Sequence, residues 1–186
     1  MAAPVRVLGF AGSLRKASFN RALLRLAVEA APGDMEIGIF DIAPIPLYNG
    51  DVEAAGFPEP VQAFRERIRA ADALLIACPE YNYSMPGVLK NAIDWASRGA
   101  DQPFAGKPLA IMGAGGGLGT GRSQYHLRQT CVYLDMHPLN KPEVLVRAAE
   151  SFNPDGSLKD EAVRGKLAAL LTALAVWTRR LRGDAA

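Results

Sequence analysis

A short polar loop near the start of the chain carries the side chains best suited to binding a phosphate. The loop occupies positions 12–20 and directly follows an apolar run. Ser13 and Ser18 offer hydroxyl groups, and Asn20 offers a carboxamide. Arg15 adds a planar guanidinium, which can make two parallel hydrogen bonds to phosphate oxygens. Helix capping by Ser18 or Asn20 is the alternative, but four such groups within eight positions favour a phosphate site.

The glycine spacing of this loop excludes two common nucleotide-binding loops. It lacks the Gly-Lys-Ser/Thr ending of a P-loop. It also lacks the Gly-x-Gly-x-x-Gly pattern of a dinucleotide-binding turn. We therefore expect a mononucleotide cofactor rather than a tightly bound NAD or FAD.

A second loop, at positions 79–87, has the composition expected around a flat aromatic ring. It follows another apolar run and contains two prolines, which restrict its backbone. The N–H groups of Glu80 to Tyr83 are expected to point into a cleft, where they match the polar edge of an isoalloxazine ring. Tyr81 and Tyr83 can cover a face of such a ring, although an ordinary surface turn is the alternative. The two loops together predict a bound flavin mononucleotide (FMN).

A third loop, at positions 113–121, contains six glycines. Ordering so many glycines has a large entropic cost. Close approach of the backbone to a flat ligand is one explanation for them, and a mobile lid is the other. The sequence leaves both open.

Apolar patterns around the loops predict alternating strands and helices. The predicted strands are Val5–Ala11, Met35–Phe40, Ala73–Cys78, Pro108–Gly113 and a short one near 138–140. The predicted helices cover about 23–31, 61–71, 86–97, 122–134 and 163–181. This alternation predicts an α/β fold, a flavodoxin-like three-layer sandwich in a single domain over residues 1–186. Its five-stranded parallel sheet has the order 2-1-3-4-5, so the first two loops begin on either side of the switch point.

Composition excludes partners that are selected by bulk charge. The 186 residues carry a formal net charge of +2 with scattered Lys and Arg, so no nucleic-acid surface is expected. No apolar segment is long enough to predict a membrane span, and Arg6 interrupts the N-terminal run where a signal peptide would lie. Cys78 and Cys131 lie in apolar segments and are expected to be reduced, which favours a cytoplasmic protein.

The histidines and the remaining nucleophiles form no recognisable catalytic motif. His126 and His137 lack further ligands at metal-binding spacing, so we expect structural roles and no metal. Residues 121–125 lack the final glycine of a hydrolase nucleophile elbow. Cys78 has no arginine after it at phosphatase spacing. No catalytic side chain is predicted, because a bound flavin carries redox chemistry itself.

Several segments in combination are typical of one protein family. They are Gly12–Arg15, Ser18–Asn20, Pro79–Ser84, Pro86–Gly87, Leu89–Trp95 and Gln124–Gln129. With these segments the chain resembles the NADPH-dependent FMN reductases from about Val5 to Glu143. Within that family it looks most similar to the bacterial chromate and quinone reductase branch.

The resemblance implies FMN bound without a covalent link, with NADPH or NADH as co-substrate. It implies electron transfer in ping-pong order to quinones, free flavin or metal oxyanions such as chromate. The implied cofactor-binding residues are Ser13, Leu14, Arg15, Ser18, Phe19, Asn20, Pro79, Glu80, Tyr81, Asn82, Tyr83, Ala114 and Gly115. Family members often carry a hydroxyl residue early in the third loop. This chain has none at 113–115, which leaves the backbone N–H groups of Ala114 and Gly115 as donors.

The resemblance also implies a homodimer or a tetramer of two dimers. Helix 86–97 and the region of Arg122, Tyr125 and Glu143 are expected in the subunit contacts. An alternative of another class is a flavodoxin-like electron-carrier module without NAD(P)H turnover. Such carriers usually concentrate acidic charge, which a net charge of +2 does not favour. A flavin-sensing interaction protein is a third alternative.

Overall fold

The computed structural model describes residues 3–183, which form one parallel sheet with helices on both faces. The strands are β1 (Val5–Ala11), β2 (Met35–Phe40), β3 (Ala73–Ala77), β4 (Pro108–Gly115), β5 (His137–Pro138) and β6 (Val144–Arg147). Their order, β2-β1-β3-β4-β5, confirms the predicted 2-1-3-4-5. The sixth strand was not predicted. It pairs with the carboxyl-terminal half of β4, beyond the short β5.

Two apolar layers hold the helices against the sheet. The helices are α1 (Phe19–Glu29), α2 (Gly50–Ala54), α3 (Glu59–Ala70), α4 (Gly87–Ala96), α5 (Gly121–Tyr133), α6 (Ala148–Ser151) and α7 (Ala162–Arg182). Alternate residues of a strand face opposite sides of a sheet. Val5 and Val7 therefore pack with α1 and α7, whereas Leu8 and Phe10 pack with α3, α4 and α5. The result is the predicted three-layer arrangement.

The structure changes several predicted boundaries. The fourth strand continues to Gly115, because its last residues pair with β6. The fifth strand is at 137–138 rather than 138–140. The short helices α2 and α6 have too few residues to show a helical apolar pattern, so residues 3–183 hold seven helices where five were predicted. None of these seven is long and apolar enough to cross a bilayer.

The sheet order places the three polar loops side by side. The register pairs Ala11 with Ala77 and Ala77 with Met112, so β1, β3 and β4 end at the same edge. Ligands of open α/β sheets bind at this carboxyl edge, where neighbouring strands diverge. The fold therefore builds a candidate site from residues that are about a hundred positions apart in sequence.

Candidate functional site

A cleft of about 680 Å³ opens at the carboxyl edge of the sheet. Its volume lies in the range typical of small-molecule sites. We call it the main cleft, and ten of the thirteen predicted residues line it: Ser13, Arg15, Ser18, Phe19, Asn20, Pro79, Glu80, Tyr81, Ala114 and Gly115. Asn82 and Tyr83 instead line a second cavity of about 340 Å³, which shares Glu80 and Gly116 with the first. Leu14 lines neither cavity.

The N-terminus of α1 forms one end of the main cleft. Ser18 is the N-cap residue, and its hydroxyl accepts a hydrogen bond from the Arg21 N–H at 3.4 Å. The side chain of Arg15 is exposed and donates only to the Ala17 carbonyl, at 3.3 Å, within the described chain. A helix N-terminus carries partial positive charge and free N–H groups. This end of the cleft is therefore suited to an anion, while Ser18 also has the capping role considered above.

The structure corrects one expectation about the third loop: the Ala114 N–H is not free to donate to a ligand, because Asn20 pairs with it. The Asn20 side chain donates to the Ala114 carbonyl at 2.8 Å and accepts from the Ala114 N–H at 3.0 Å. Both groups are buried, and buried polar groups need partners. The Ala114 N–H is therefore already paired. The Asn20 carboxamide uses one N–H group and its oxygen to fix the first loop to the end of β4, and Asn20 also lines the main cleft.

Glu80 caps a neighbouring helix with its carboxylate. One oxygen accepts from the backbone N–H groups of Arg122 and Ser123, at 3.0 and 3.2 Å, and the other from Arg122 Nε at 2.6 Å. The N-cap residue of α5, Thr120, makes no capping bond of its own. A carboxylate stabilises a helix N-terminus by pairing with its free N–H groups. The sequence predicted only a backbone role for Glu80, since nothing in the loop indicates which helix a carboxylate meets.

Residues 81–84 form a tight turn beside the main cleft. The Tyr81 N–H donates to the Ser84 carbonyl at 3.0 Å, and the Ser84 N–H donates back at 2.9 Å. Asn82 and Tyr83 have φ values of 48° and 68°, the positive values that a type I′ turn needs at both central positions. The expectation that every N–H from Glu80 to Tyr83 faces a ligand is therefore wrong at Tyr81, whose N–H closes the turn.

The two tyrosines of this turn have different surroundings. Tyr81 is 52 % exposed and lines the main cleft. The Tyr83 ring lies against the Arg122 guanidinium, 3.5 Å from the ring centroid, which is a cation–π contact. Ser84 contacts His126 through Oγ and Nδ1 at 2.9 Å. Two side chains of the turn, those of Tyr83 and Ser84, thus join it to α5. Of the two tyrosines, Tyr81 is the one that lines the main cleft.

Two different structural requirements explain glycines of the third loop. A Cβ on Gly113 would lie 2.0 Å from Thr120 Oγ1 and 2.5 Å from the Cys78 carbonyl. A Cβ on Gly115 would lie 2.3 Å from the Gly119 carbonyl. These two positions need glycine because the loop packs on itself, which neither earlier explanation considered. Gly116 has open space around its Cβ direction and lines both cavities, so it allows close approach of a ligand.

Part of the lining of the main cleft comes from a segment that the sequence did not assign to the site. Its lining residues are Ala148, Ala149, Phe152, Asn153, Pro154 and Lys159. Phe152 stacks on Phe19 with ring centroids 5.4 Å apart. The pairing of β6 with β4 is what brings this segment to the cleft. No local signal could have indicated that pairing.

The two thiols are poor candidates for chemistry. Both are buried and unpaired, as predicted. Burial raises the pKa values of the Cys78 and Cys131 thiols to about 12. Neither thiol forms a nucleophilic thiolate near neutral pH. Residues 3–183 also hold no group of three or more side chains that could bind a metal ion.

Comparisons with known proteins agree on one family. A family model described as NADPH-dependent FMN reductase matches residues 5–151. The chain is 58 % identical to an NAD(P)H-dependent FMN reductase of Pseudomonas aeruginosa, over 98 % of this chain and all of the relative. It is 44 % identical to a quinone reductase of Escherichia coli K12, over 98 % of this chain and all of that relative. A solved flavoenzyme NAD(P)H:(acceptor) oxidoreductase from Paracoccus denitrificans superposes with a TM-score of 0.84 at 35 % identity, covering 95 % of this chain and 98 % of the other.

Proposed function

The chain belongs to the NADPH-dependent FMN reductase family, and we propose that it holds FMN in the main cleft to reduce small-molecule acceptors. Family membership makes it an oxidoreductase with FMN as cofactor and NAD(P)H as co-substrate. Our proposal adds where the cofactor lies and how the turnover proceeds.

A single observation carries the assignment of the site: one cleft is lined both by residues at the N-terminus of α1 and by residues of the second and third loops. Arg15 and Ser18 lie beside the N-terminus of α1. Pro79, Tyr81 and Gly116 also line the cleft, and the lack of a side chain at Gly116 leaves room for a ring. FMN has two parts, a phosphate and an isoalloxazine. We assign the phosphate to the first group of residues and the ring to the second.

The protein contributes binding and orientation rather than proton transfer by a side chain. When bound, FMN supplies two-electron redox chemistry, so NAD(P)H and then an acceptor would react in alternating half-reactions. Tyr81 and the backbone at Gly115 and Gly116 would hold the ring in a fixed plane, which favours productive stacking of substrates. Backbone donors near the ring would stabilise negative charge. The buried thiols stay protonated and His126 is engaged with Ser84, so neither is placed as an acid or base.

The acceptor, assembly and cellular location are further parts of the proposal. Quinones are the acceptors that the names of several relatives support; free flavin and chromate are proposed on the chemistry of an open flavin site. We propose a homodimer or a dimer-based tetramer, because Tyr125, Val132 and Tyr133 on α5 are 62 %, 81 % and 88 % exposed. Exposed apolar surface of this kind is typical of contact surfaces. The two unpaired buried thiols favour the cytoplasm.

Steady-state kinetics test the proposed function. The purified protein should be yellow, and it should oxidise NADPH continuously when benzoquinone is added. Double-reciprocal plots at several quinone concentrations should give parallel lines, as expected for alternating half-reactions. Bound flavin without NADPH turnover would contradict the proposal and favour the electron-carrier alternative.

A further inference from the structure

We propose that Lys159 is a second cation for the phosphate of FMN, held at the main cleft by the segment that we call the 152–159 hairpin. The inference rests on the proposed function, because it concerns a residue of the same cleft. It adds a binding residue from outside the matched part of the chain, since the match to the family model ends at residue 151. Lys159 and Arg15 both line the main cleft.

Hydrogen bonds fix the backbone of the hairpin at Lys159 and at the residues before it. The Lys159 N–H donates to the Ser151 carbonyl at 2.8 Å, and Phe152 pairs with Leu158 as an antiparallel bridge. At the tip, the Asn153 N–H donates to the Ser157 carbonyl at 2.9 Å. Because the backbone is held in this way, only the side chain of Lys159 remains to be ordered when a ligand binds. That lowers the entropic cost of using it.

An aromatic contact docks the hairpin beside the N-terminus of α1. Phe152 is 4 % exposed, and its ring stacks on the ring of Phe19 at an interplanar angle of 27°. Phe19 is the first residue of α1 and directly follows the N-cap Ser18. The hairpin therefore lies beside the helix end that we assign to the phosphate. This contact brings the hairpin that carries Lys159 to the same part of the main cleft as the first loop.

The acidic residue that lines the cleft does not pair with Arg15 or Lys159, so both cations can contact the ligand. Glu80 is the acidic residue among those that line the main cleft, and it is paired with Arg122 at 2.6 Å. Within residues 3–183, neither Arg15 nor Lys159 has a carboxylate within ion-pair distance. A phosphate monoester carries about −1.5 to −2 charges near neutral pH. Two cations match that charge, whereas Arg15 alone would leave part of it unneutralised.

The acidic groups next to Lys159 already have other donors. Asp155 accepts from the Ser157 hydroxyl at 2.7 Å, and this hydrogen bond lowers the pKa of the Asp155 carboxyl. Asp160 accepts from the Ala162 N–H at 3.0 Å. These carboxylates are held in the turn and at the start of α7, and within residues 3–183 neither forms an ion pair with Lys159.

Binding of two flavins that differ only in the phosphate tests the proposal. Full-length protein freed of flavin is titrated with FMN and, separately, with riboflavin, following flavin fluorescence. Lys159→Gln should raise the Kd for FMN about three- to tenfold, as expected for an exposed charge acting on a dianion. It should leave the Kd for riboflavin unchanged. Lys159→Arg should restore the FMN affinity, and Lys166→Gln, an exposed lysine on α7, is the matched control.

Each outcome decides between a phosphate contact and other roles. An unchanged Kd for FMN in Lys159→Gln would overturn the proposal, and so would an equal loss for both flavins, which indicates a structural role. A change in the KM for NADPH alone would assign Lys159 to the co-substrate and also overturn it. If the unaltered protein bound neither flavin, the proposed function itself would fail, which separates that result from a failure at Lys159.

Discussion

Replacing Glu80 with glutamine tests the claim that its carboxylate joins the 81–84 turn to α5. The Glu80 side chain is 8 % exposed and accepts three hydrogen bonds, one of them from a guanidinium. Glutamine keeps the shape and one acceptor oxygen but removes the charge. Losing a hydrogen bond between charged groups costs about 1.5–3 kcal/mol, and losing a charge at a helix N-terminus adds about 0.3–1 kcal/mol. Because the Arg122 side chain is 35 % exposed, solvent screening reduces the expected loss to about 2 kcal/mol.

Urea unfolding measures this loss directly. Glu80→Gln should lower the free energy of unfolding by about 2 kcal/mol, which corresponds to a fall in Tm of about 4–8 °C for a chain of this size. Glu29→Gln is the matched control, because Glu29 also pairs with an arginine, Arg164 at 2.8 Å, but is 55 % exposed. The control should lose less than about 1 kcal/mol. Equal losses in the two variants would refute the argument that burial and helix capping make the Glu80 contacts stronger.

Three further predictions concern the phosphate end, the glycine loop and acid stability. Arg15→Ala should weaken FMN binding about 10- to 100-fold by fluorescence titration, because it loses a charge-assisted contact; an unchanged Kd would place Arg15 in solvent only. Gly113→Ala should lower the free energy of unfolding in urea by about 3 kcal/mol, the upper end of the range for overpacked cores, since its Cβ would meet a hydroxyl oxygen at 2.0 Å. Gly116→Ala should keep the stability but weaken FMN binding, and the opposite pattern would contradict this account of the loop. Burial opposes ionisation of Asp72, but hydrogen bonds from two arginines outweigh it and lower the pKa of this carboxyl to about 2. Its stabilising contribution, about 2 kcal/mol, is therefore full above about pH 5 and lost toward pH 2, so the stability difference between the unaltered protein and Asp72→Asn should shrink over that range; a difference independent of pH would refute it.

The sheet order and most of the residues that line the main cleft could be predicted from local sequence patterns and general topology. The apolar runs before the 12–20 and 79–87 loops each mark a buried parallel strand, and the polar residues follow directly. Once the strand order is known, the carboxyl edge of the sheet brings these loops together. Local pattern and general topology were therefore sufficient to bring ten of the thirteen predicted residues to one cleft.

The rest of the site depends on contacts between distant segments. β6 has four residues, and its pairing with β4 is what brings Phe152 and Lys159 to the cleft. The N–H groups of Tyr81 and Ala114 looked free in the sequence, but Ser84 and Asn20 pair with them. A sequence pattern gives the residue types that can donate. It does not show which of these donors form hydrogen bonds within the fold itself.

A crystal structure of the full-length protein grown with FMN tests the central claim most directly. Our account predicts the phosphate within hydrogen-bond distance of Arg15 and Ser18, at the N-terminus of α1. It also predicts the ring between Tyr81 and Gly116. FMN bound in the reverse orientation, or at a place outside the main cleft, would contradict the account.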